Sequence, residues 1–320
     1  MSDTTTSTKQ EATRDGFGRA LVELGRRDPR IVVVCADLAE STRAEWFKKE
    51  FPDRYVEVGV AEQNLATVAS GLAAVGKIPF ILSYAAFSPG RNNEQIRTTI
   101  ALNQMPVIIA GCHAGLSVGP DGATHQALED VGLMRMLPHM TVVSPADSIE
   151  AYKATLALGA LGTPAYIRLG RAATPSCTTE EIPFEIGKAF VMRDVPEPLV
   201  TIVTTGNRLS TALSVFEKLA SEVPMTVLHM PTIKPLDTNA LLREAGRSGA
   251  IVTIEEHQVA GGMGSAVAEF LVQHAPVPME LVAVDDRFGQ SGTPEELFAE
   301  YGIDEVGLEA AVRRIIERKK

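Results

Sequence analysis

The side chains whose type and setting could do chemistry are Glu62, His113, Asp121, His125, Arg14 and Arg171. Glu62 closes an extended apolar stretch that begins at Tyr55 and precedes a run of small residues, Ala66 to Ala74. That run predicts a helix packed very closely against a neighbour. A carboxylate at the mouth of such a helix leaves water, and desolvation raises a carboxyl pKa and makes the group a proton partner. An acid at a helix N-terminus also complements the macrodipole with no further role. Taken alone, Glu62 favours the second reading.

The densest polar segment runs from Cys112 to Gln126 and contains His113, Asp121 and His125. It follows the apolar run PVIIA and precedes a helical pattern, which places it at the carboxyl edge of a strand, where α/β sheets bind ligands. Gly115, Gly119, Pro120 and Gly122 make it bend sharply, and functional side chains concentrate on shaped loops. A metal could use His125 and Glu129, four residues apart on one helix face, although the remaining spacing fits no standard ligand motif. The polar groups could also be satisfied structural residues. The favoured reading is a set of hydrogen-bonding and acid/base groups around a polyhydroxylated anionic substrate.

Two further strand ends carry candidates. Phe80 to Phe87, with Tyr84 inside it, is either core or a flat face for a heteroaromatic ring, Phe87 being the stacking residue because the chain turns straight after it. Tyr166 to Arg171 delivers arginines to a strand end. Arg171 suits bidentate phosphate capture, Arg168 reads as a surface charge, and Arg14 is a second phosphate candidate before the first helix.

The elements that must position these groups alternate as expected for α/β layers. Strands are expected at Ile31–Cys35, Tyr55–Val58, Pro79–Leu82, Val107–Ala110, Thr141–Val143 and Ala165–Arg168. Helices are expected at Thr13–Arg26, Gln63–Val75, Asn93–Asn103, Gln126–Leu137 and Ser148–Leu161. Strands apolar throughout suit a parallel sheet covered on both faces. Residues 172–186 break the rhythm and read as a linker. Alternation then restarts with strands at Val200–Thr204, Met225–His229, Ile251–Ile254 and Glu280–Val284. The second set of helices falls near Ser210–Glu222, Ala240–Ala245, Ser265–His274 and Leu308–Lys319. The expected organisation is a disordered tail over 1–10 and two successive α/β domains, 11–171 and 187–320.

The composition bounds the function. At 320 residues, 45% hydrophobic and 22% charged, the chain can bury large cores. Its net charge of −10 argues against nucleic acid or an anionic membrane as partner. Cys35, Cys112 and Cys177 are scattered and odd in number, as in a reducing cytoplasm. No apolar run reaches spanning length, and the Thr-rich start lacks a signal-peptide core.

The motifs together resemble a known family. VGVAEQN, PGRNNEQIR, HAGLSVGPDGATHQALEDVGLMRMLPHMTVVSPAD and YIRLGR resemble the pyrimidine-binding half of a thiamine-diphosphate enzyme. The likeness is greatest to transketolase in its split form, where this half is a separate carboxy-terminal subunit. VTIEEHQVAGGMGSAVA and the following Asp286-Arg287-Phe288-Gly289 resemble the last domain of the transketolase and 1-deoxyxylulose-5-phosphate synthase group. The resemblance implies a thiamine-diphosphate-binding fold followed by a transketolase C-terminal domain. Gly261–Gly264 is then a structural helix start rather than a phosphate loop. Glu62 would hydrogen-bond N1′ of the cofactor's aminopyrimidine and favour its imino tautomer. Phe87 would stack on that ring, with Tyr84 and Asp37 also at the cofactor. His113, Arg171 and Arg14 would bind a substrate phosphate, Asp121 a sugar hydroxyl, and His125 would stand at the reacting centre. Cys35 stands where the family often carries Ser.

The family's Gly-Asp-Gly, followed about thirty residues later by Asn, holds Mg²⁺ and diphosphate and is missing from this sequence. By the resemblance, no metal ligand is expected here. The Mg²⁺ and diphosphate site would lie on an N-terminal transketolase subunit, in an assembly of two copies of each chain. The implied activity is two-carbon ketol transfer between sugar phosphates, as in pentose phosphate metabolism. A 1-deoxyxylulose-5-phosphate synthase or the β subunit of a 2-oxoacid dehydrogenase is the alternative.

Overall fold

A computed structural model describes residues 10–319. The chain opens with β1 (Gln10–Ala12) and α1 (Thr13–Arg27), then β2 (Ile31–Cys35), α2 (Ala44–Glu50), β3 (Tyr55–Glu57) and α3 (Glu62–Ala74). β4 (Ile78–Tyr84) leads into α4 (Asn93–Gln95), which continues as a π-helical stretch over Ile96–Ala101. β5 (Ile108–Cys112), α5 (Asp130–Arg135), β6 (Thr141–Val143), α6 (Ser148–Gly159), β7 (Ala165–Arg168) and β8 (Ala173–Pro175) complete the first half. The second half contains β9 (Phe190–Arg193), β10 (Val200–Thr204), α7 (Leu209–Leu219), β11 (Met225–His229), β12 (Thr232–Lys234) and α8 (Thr238–Ser248). It ends with β13 (Ile251–Gln258), α9 (Met263–His274), β14 (Met279–Val284), α10 (Pro294–Glu300) and α11 (Glu305–Lys319).

Two large sheets result, as the alternation requires. The first has the order β12-β6-β7-β5-β4-β2-β3 and the second β14-β13-β10-β11-β9. Pairing is parallel except at β12 and β9, which join antiparallel at one edge of each sheet. β2, β5, β10 and β11 are buried along their whole length, because helices cover both faces. The two halves are interlocked: β12, from the second half of the chain, pairs with β6 at the edge of the first sheet.

Some elements differ from expectation. The tail expected over 1–10 lies outside the described residues except for Gln10, which pairs with Pro175. The linker 172–186 therefore contains β8 and returns to the start of the chain. Its Cys177 and Thr178 amides donate to Asp147 Oδ2. The helix expected over Gln126–Leu137 is only α5, because the residues before it turn their side chains to the backbone: Gln126 to loop carbonyls, Glu129 Oε2 to the Leu128 amide.

Candidate active site

β7, β5, β4, β2 and β3 are consecutive neighbours in the first sheet and all parallel. Their carboxyl ends therefore form one edge. Along it stand Arg171 after β7, His113 after β5, Tyr84 and Phe87 at and after β4, Asp37 after β2 and Glu62 after β3. Parallel sheets bind ligands at this edge.

The centre of the edge is aromatic. The Tyr84 and His113 rings stack with centroids 4.0 Å apart, and Tyr84 and Phe87 lie 6.0 Å apart and nearly parallel. His125 meets Phe87 edge-on at 5.4 Å and Tyr84 at 6.1 Å. His125 comes from the loop after β5, where its Nδ1 bonds Thr124 Oγ1 at 2.9 Å.

His113 is almost fully buried and sits at φ 54°, a left-handed backbone uncommon outside glycine. Burial, then the charges of Arg14 and Arg171, lower its pKa to about 3, so the imidazole is neutral at ordinary pH. Arg14 Nη1 lies 3.3 Å from His113 Nε2. An arginine only donates, so Nε2 accepts and Nδ1 carries the hydrogen. That Nδ1 is buried without a partner, as is Arg14 Nε. Buried donors are normally satisfied, and a pair of orphans beside two guanidinium groups fits an anionic oxygen from a ligand. Arg171 donates to Val118 O at 2.7 Å and lies 4.0 Å from Asp121, which is exposed on the same loop.

Glu62 opens α3 and is 2% exposed. Leu65, Ala66, Ala69 and Ala73 bury the same face of α3 against Ile81, Ile96 and Ile100, so the small-residue run is indeed a close-packing stripe. The carboxylate is not alone, however: Arg91 Nη1 donates to Glu62 Oε2 at 2.6 Å. The Arg91 guanidinium also lies 5.0 Å from the Phe87 ring centroid, which joins Glu62 to the aromatic group. Buried Asn92 donates to the Glu62 carbonyl at 2.9 Å and leaves its own Oδ1 unpartnered. Glu62, Arg91, Asn64 and Gln95 line an open groove of about 470 Å³.

Both halves of the chain match family models: the transketolase pyrimidine binding domain over residues 9–176 and the transketolase C-terminal domain over 187–308. The chain belongs to the transketolase family. It is 38% identical to a 6-deoxy-6-sulfo-D-fructose transketolase subunit of a Clostridium species, covering 96% of this chain and 95% of that one. It is 36% identical to an apulose-4-phosphate transketolase subunit of Phocaeicola vulgatus, covering 93% and 95%. A solved structure of a split-gene transketolase, described as an inactive β4 tetramer, superposes with a TM-score of 0.90 at 43% identity, over 97% of this chain and 99% of that one.

Transketolase-family membership implies thiamine diphosphate as cofactor, and the edge offers what its pyrimidine end requires: a buried carboxylate, an aromatic ring beside it and a groove leading in. Asp37 sits apart. It is exposed, with φ 58°, and its amide donates to Glu57 Oε1 at 2.8 Å. The metal reading of His125 and Glu129 lacks the helix face it needs, since both precede α5. Among the described residues no group of three or more His, Cys, Asp or Glu could hold a metal ion, and no helix is long and apolar enough to cross a membrane.

One reading of the sequence is corrected, one is given its structural cause, and one residue is added. Arg168 is no surface charge: it is bonded at 2.9 Å to Asp130, which is fully buried and also receives the Tyr166 hydroxyl at 2.5 Å. The Gly-rich turn before α9 is a helix start whose first amides, Met263 and Gly264, are taken by Glu255 at 2.7 Å each, leaving no anion site. Arg91 is an addition that sequence reasoning does not single out. Its sequence signals are its place in the PGRNNEQIR motif and its spacing from Phe87, whose carbonyl its amide bonds at 2.9 Å.

Proposed function

We propose that this chain is the pyrimidine-binding and C-terminal subunit of a two-subunit transketolase that moves a two-carbon ketol unit between anionic sugars. The observation that carries the reading is the one sheet edge on which a buried carboxylate, an aromatic pair, a neutral histidine with a free N–H and two arginines line up. Residues 11–171 act as the pyrimidine domain and 187–320 as the C-terminal domain, joined through 172–186. When bound, thiamine diphosphate supplies the electron sink for breaking the bond beside a ketose carbonyl.

This chain's residues bind, orient and move protons around it. Glu62 exchanges a proton at N1′ of the aminopyrimidine, with Arg91 paired to its Oε2 in the free chain. Phe87 and Tyr84 form the wall for the ring, and Asp37 borders the cofactor. Arg14, Arg171 and His113 Nδ1–H take the anionic tail of the sugar, Asp121 accepts from a hydroxyl, and His125 moves a proton at the reacting oxygen. A phosphate and a sulfonate tail, the groups named for the two subunit relatives, are both served by such a pocket.

Mg²⁺ and the diphosphate belong to an N-terminal partner subunit in an α2β2 assembly of the cytoplasm. The missing Gly-Asp-Gly motif, the "subunit" in the relatives' names and the inactivity recorded for the β4 relative support this. The test is reconstitution with a partner chain bearing the motif, plus thiamine diphosphate and Mg²⁺. The pair transfers ketol from a phosphorylated or sulfonated ketose, and this chain alone does not. No transfer by the pair, or equal turnover by the chain alone, overturns the proposal.

A further inference from the structure

The geometry points to a positioning role for two buried side chains: Glu256, from the second half of the chain, and Gln126, from the loop itself and bonded to that half, hold the loop that presents His113, Asp121 and His125. Inside the loop the backbone makes turn bonds, the Gly122 amide to Gly119 O and the His125 and Gln126 amides to Gly122 O. Between β5 and α5 it has a 3-10 stretch over Leu116–Asp121 and one isolated bridge, Ala114 to Ala127. Gly115, Gly119 and Gly122 all lie at positive φ, so its own backbone is permissive.

The constraint comes from the second sheet. Glu256, buried near the carboxyl end of β13, accepts from the Ser117 amide at 2.5 Å, from Ser117 Oγ at 3.2 Å and from Asn207 Nδ2 at 2.7 Å. Gly115 passes so close that a Cβ there would meet Glu256 Cδ at 2.4 Å. On the far side of the loop, buried Gln126 donates through Nε2 to Gly119 O at 3.1 Å and to Gln290 O at 3.0 Å. Gln290 belongs to the segment between β14 and α10, where a Cβ on Gly289 would strike Gln126 Oε1 at 1.8 Å.

Two more bonds close the frame. The Gln258 amide donates to Leu128 O at 2.8 Å, and the Gly132 amide to His257 Nε2 at 3.3 Å. His257 Nδ1 donates to Gln258 O at 2.8 Å, which leaves Nε2 free to accept. From Ser117 to Gly132, then, the substrate loop is pinned at several points by the second half of the chain. Loops carry reacting groups well only when a rigid scaffold fixes them. Glu256 and Gln126 are positioning residues: they set where His125 and Asp121 meet a sugar and leave the pyrimidine end to Glu62 and Phe87.

The test uses Glu256→Gln and Gln126→Met, which keep volume and remove an acceptor or the donor. In the free chain, amide hydrogen exchange over residues 113–129 should quicken by about tenfold in each variant, with the strands of both sheets still protected. In the reconstituted pair, a readout that rests on the function proposed above, KM for a phosphorylated ketose should rise about tenfold while thiamine diphosphate affinity stays within about twofold. Unchanged loop exchange overturns the proposal. So does exchange that quickens throughout the molecule, since that marks stabilisation rather than positioning, and so does faster loop exchange with unchanged KM. An inactive wild-type pair with faster loop exchange in the variants refutes the functional reading and leaves the positioning role standing. If Glu256→Gln does not fold, Gln126→Met decides by the same criteria.

Discussion

Glu62 carries two requirements that pull apart. It must be buried to act as a proton partner, and a lone buried carboxylate is costly. Arg91 resolves the conflict in the free chain: it pairs with Glu62 at 2.6 Å while its own side chain remains 52% exposed. Opening the pair would leave the buried carboxylate uncompensated, so Arg91 should yield only where another group takes its place on Glu62. Glu62→Gln keeps the volume and loses the proton exchange. In the reconstituted pair it should lower kcat by about 10²–10⁴ with the circular dichroism spectrum unchanged, and wild-type turnover would remove Glu62 from the chemistry. His113 makes a different prediction. Its pKa is depressed to about 3 by burial and then by Arg14 and Arg171, so in the native protein its NMR ring signals should not titrate between pH 5 and 8. The folded state holds fewer protons than the unfolded one here. The contribution of His113 to stability is therefore full above the unfolded value of roughly 6.5 and is lost as pH falls toward 3. His113→Asn should flatten the acid limb of a stability curve over that window; an unchanged slope would contradict the neutral, buried imidazole.

Among the elements, the sequence announces those that are buried on both faces. Ile31–Cys35 is an unbroken apolar run and Val200–Thr204 and Met225–His229 are largely apolar, because each is an inner strand buried throughout, and all three form where expected. What the sequence hides depends on distant partners. β12 is three residues long and is a strand only because β6 lies beside it. Arg168 reads as solvated because Asp130, 38 residues earlier, gives no local signal. Glu62 and the sheet-edge groups after β4, β5 and β7 are visible because Gly, Pro and polar residues interrupt apolar runs there, whereas nothing local ties Arg91, just before α4, to Glu62, 29 residues earlier. Asp147 shows how one such hidden residue joins elements. It caps α6 through the Glu150 amide at 3.0 Å and also accepts from the Cys177 amide, the Thr178 amide and the Thr178 hydroxyl. Asp147→Ala would strip a helix cap and leave buried donors of the 172–186 segment unpaired. It should cost about 2–4 kcal/mol in urea unfolding; a loss below about 0.5 kcal/mol, the range of ordinary surface changes, would mean that the segment is not fastened there.

At the scale of the whole molecule, the proposed function makes this chain one half of a site carried on two interlocked sheets. Both sheets are closed by helices, β12 binds the halves together, and the second half of the chain braces the substrate loop. The sheet edge nevertheless ends in an open groove at Glu62, and the chain carries no motif for the diphosphate. A net charge of −10 also offers no general attraction for a doubly charged tail. The free chain should therefore gain little from the cofactor. A ligand that binds only the native state at about 100 times its dissociation constant adds about 2.7 kcal/mol, which in a protein of this size raises the melting temperature by a few degrees. Thiamine diphosphate with Mg²⁺ should produce that rise in the reconstituted pair and no measurable rise in this chain alone. An equal rise in both would show that this chain grips the diphosphate end by itself. The missing motif would then have a substitute on this sheet edge, and the partner would be needed for something other than holding the cofactor.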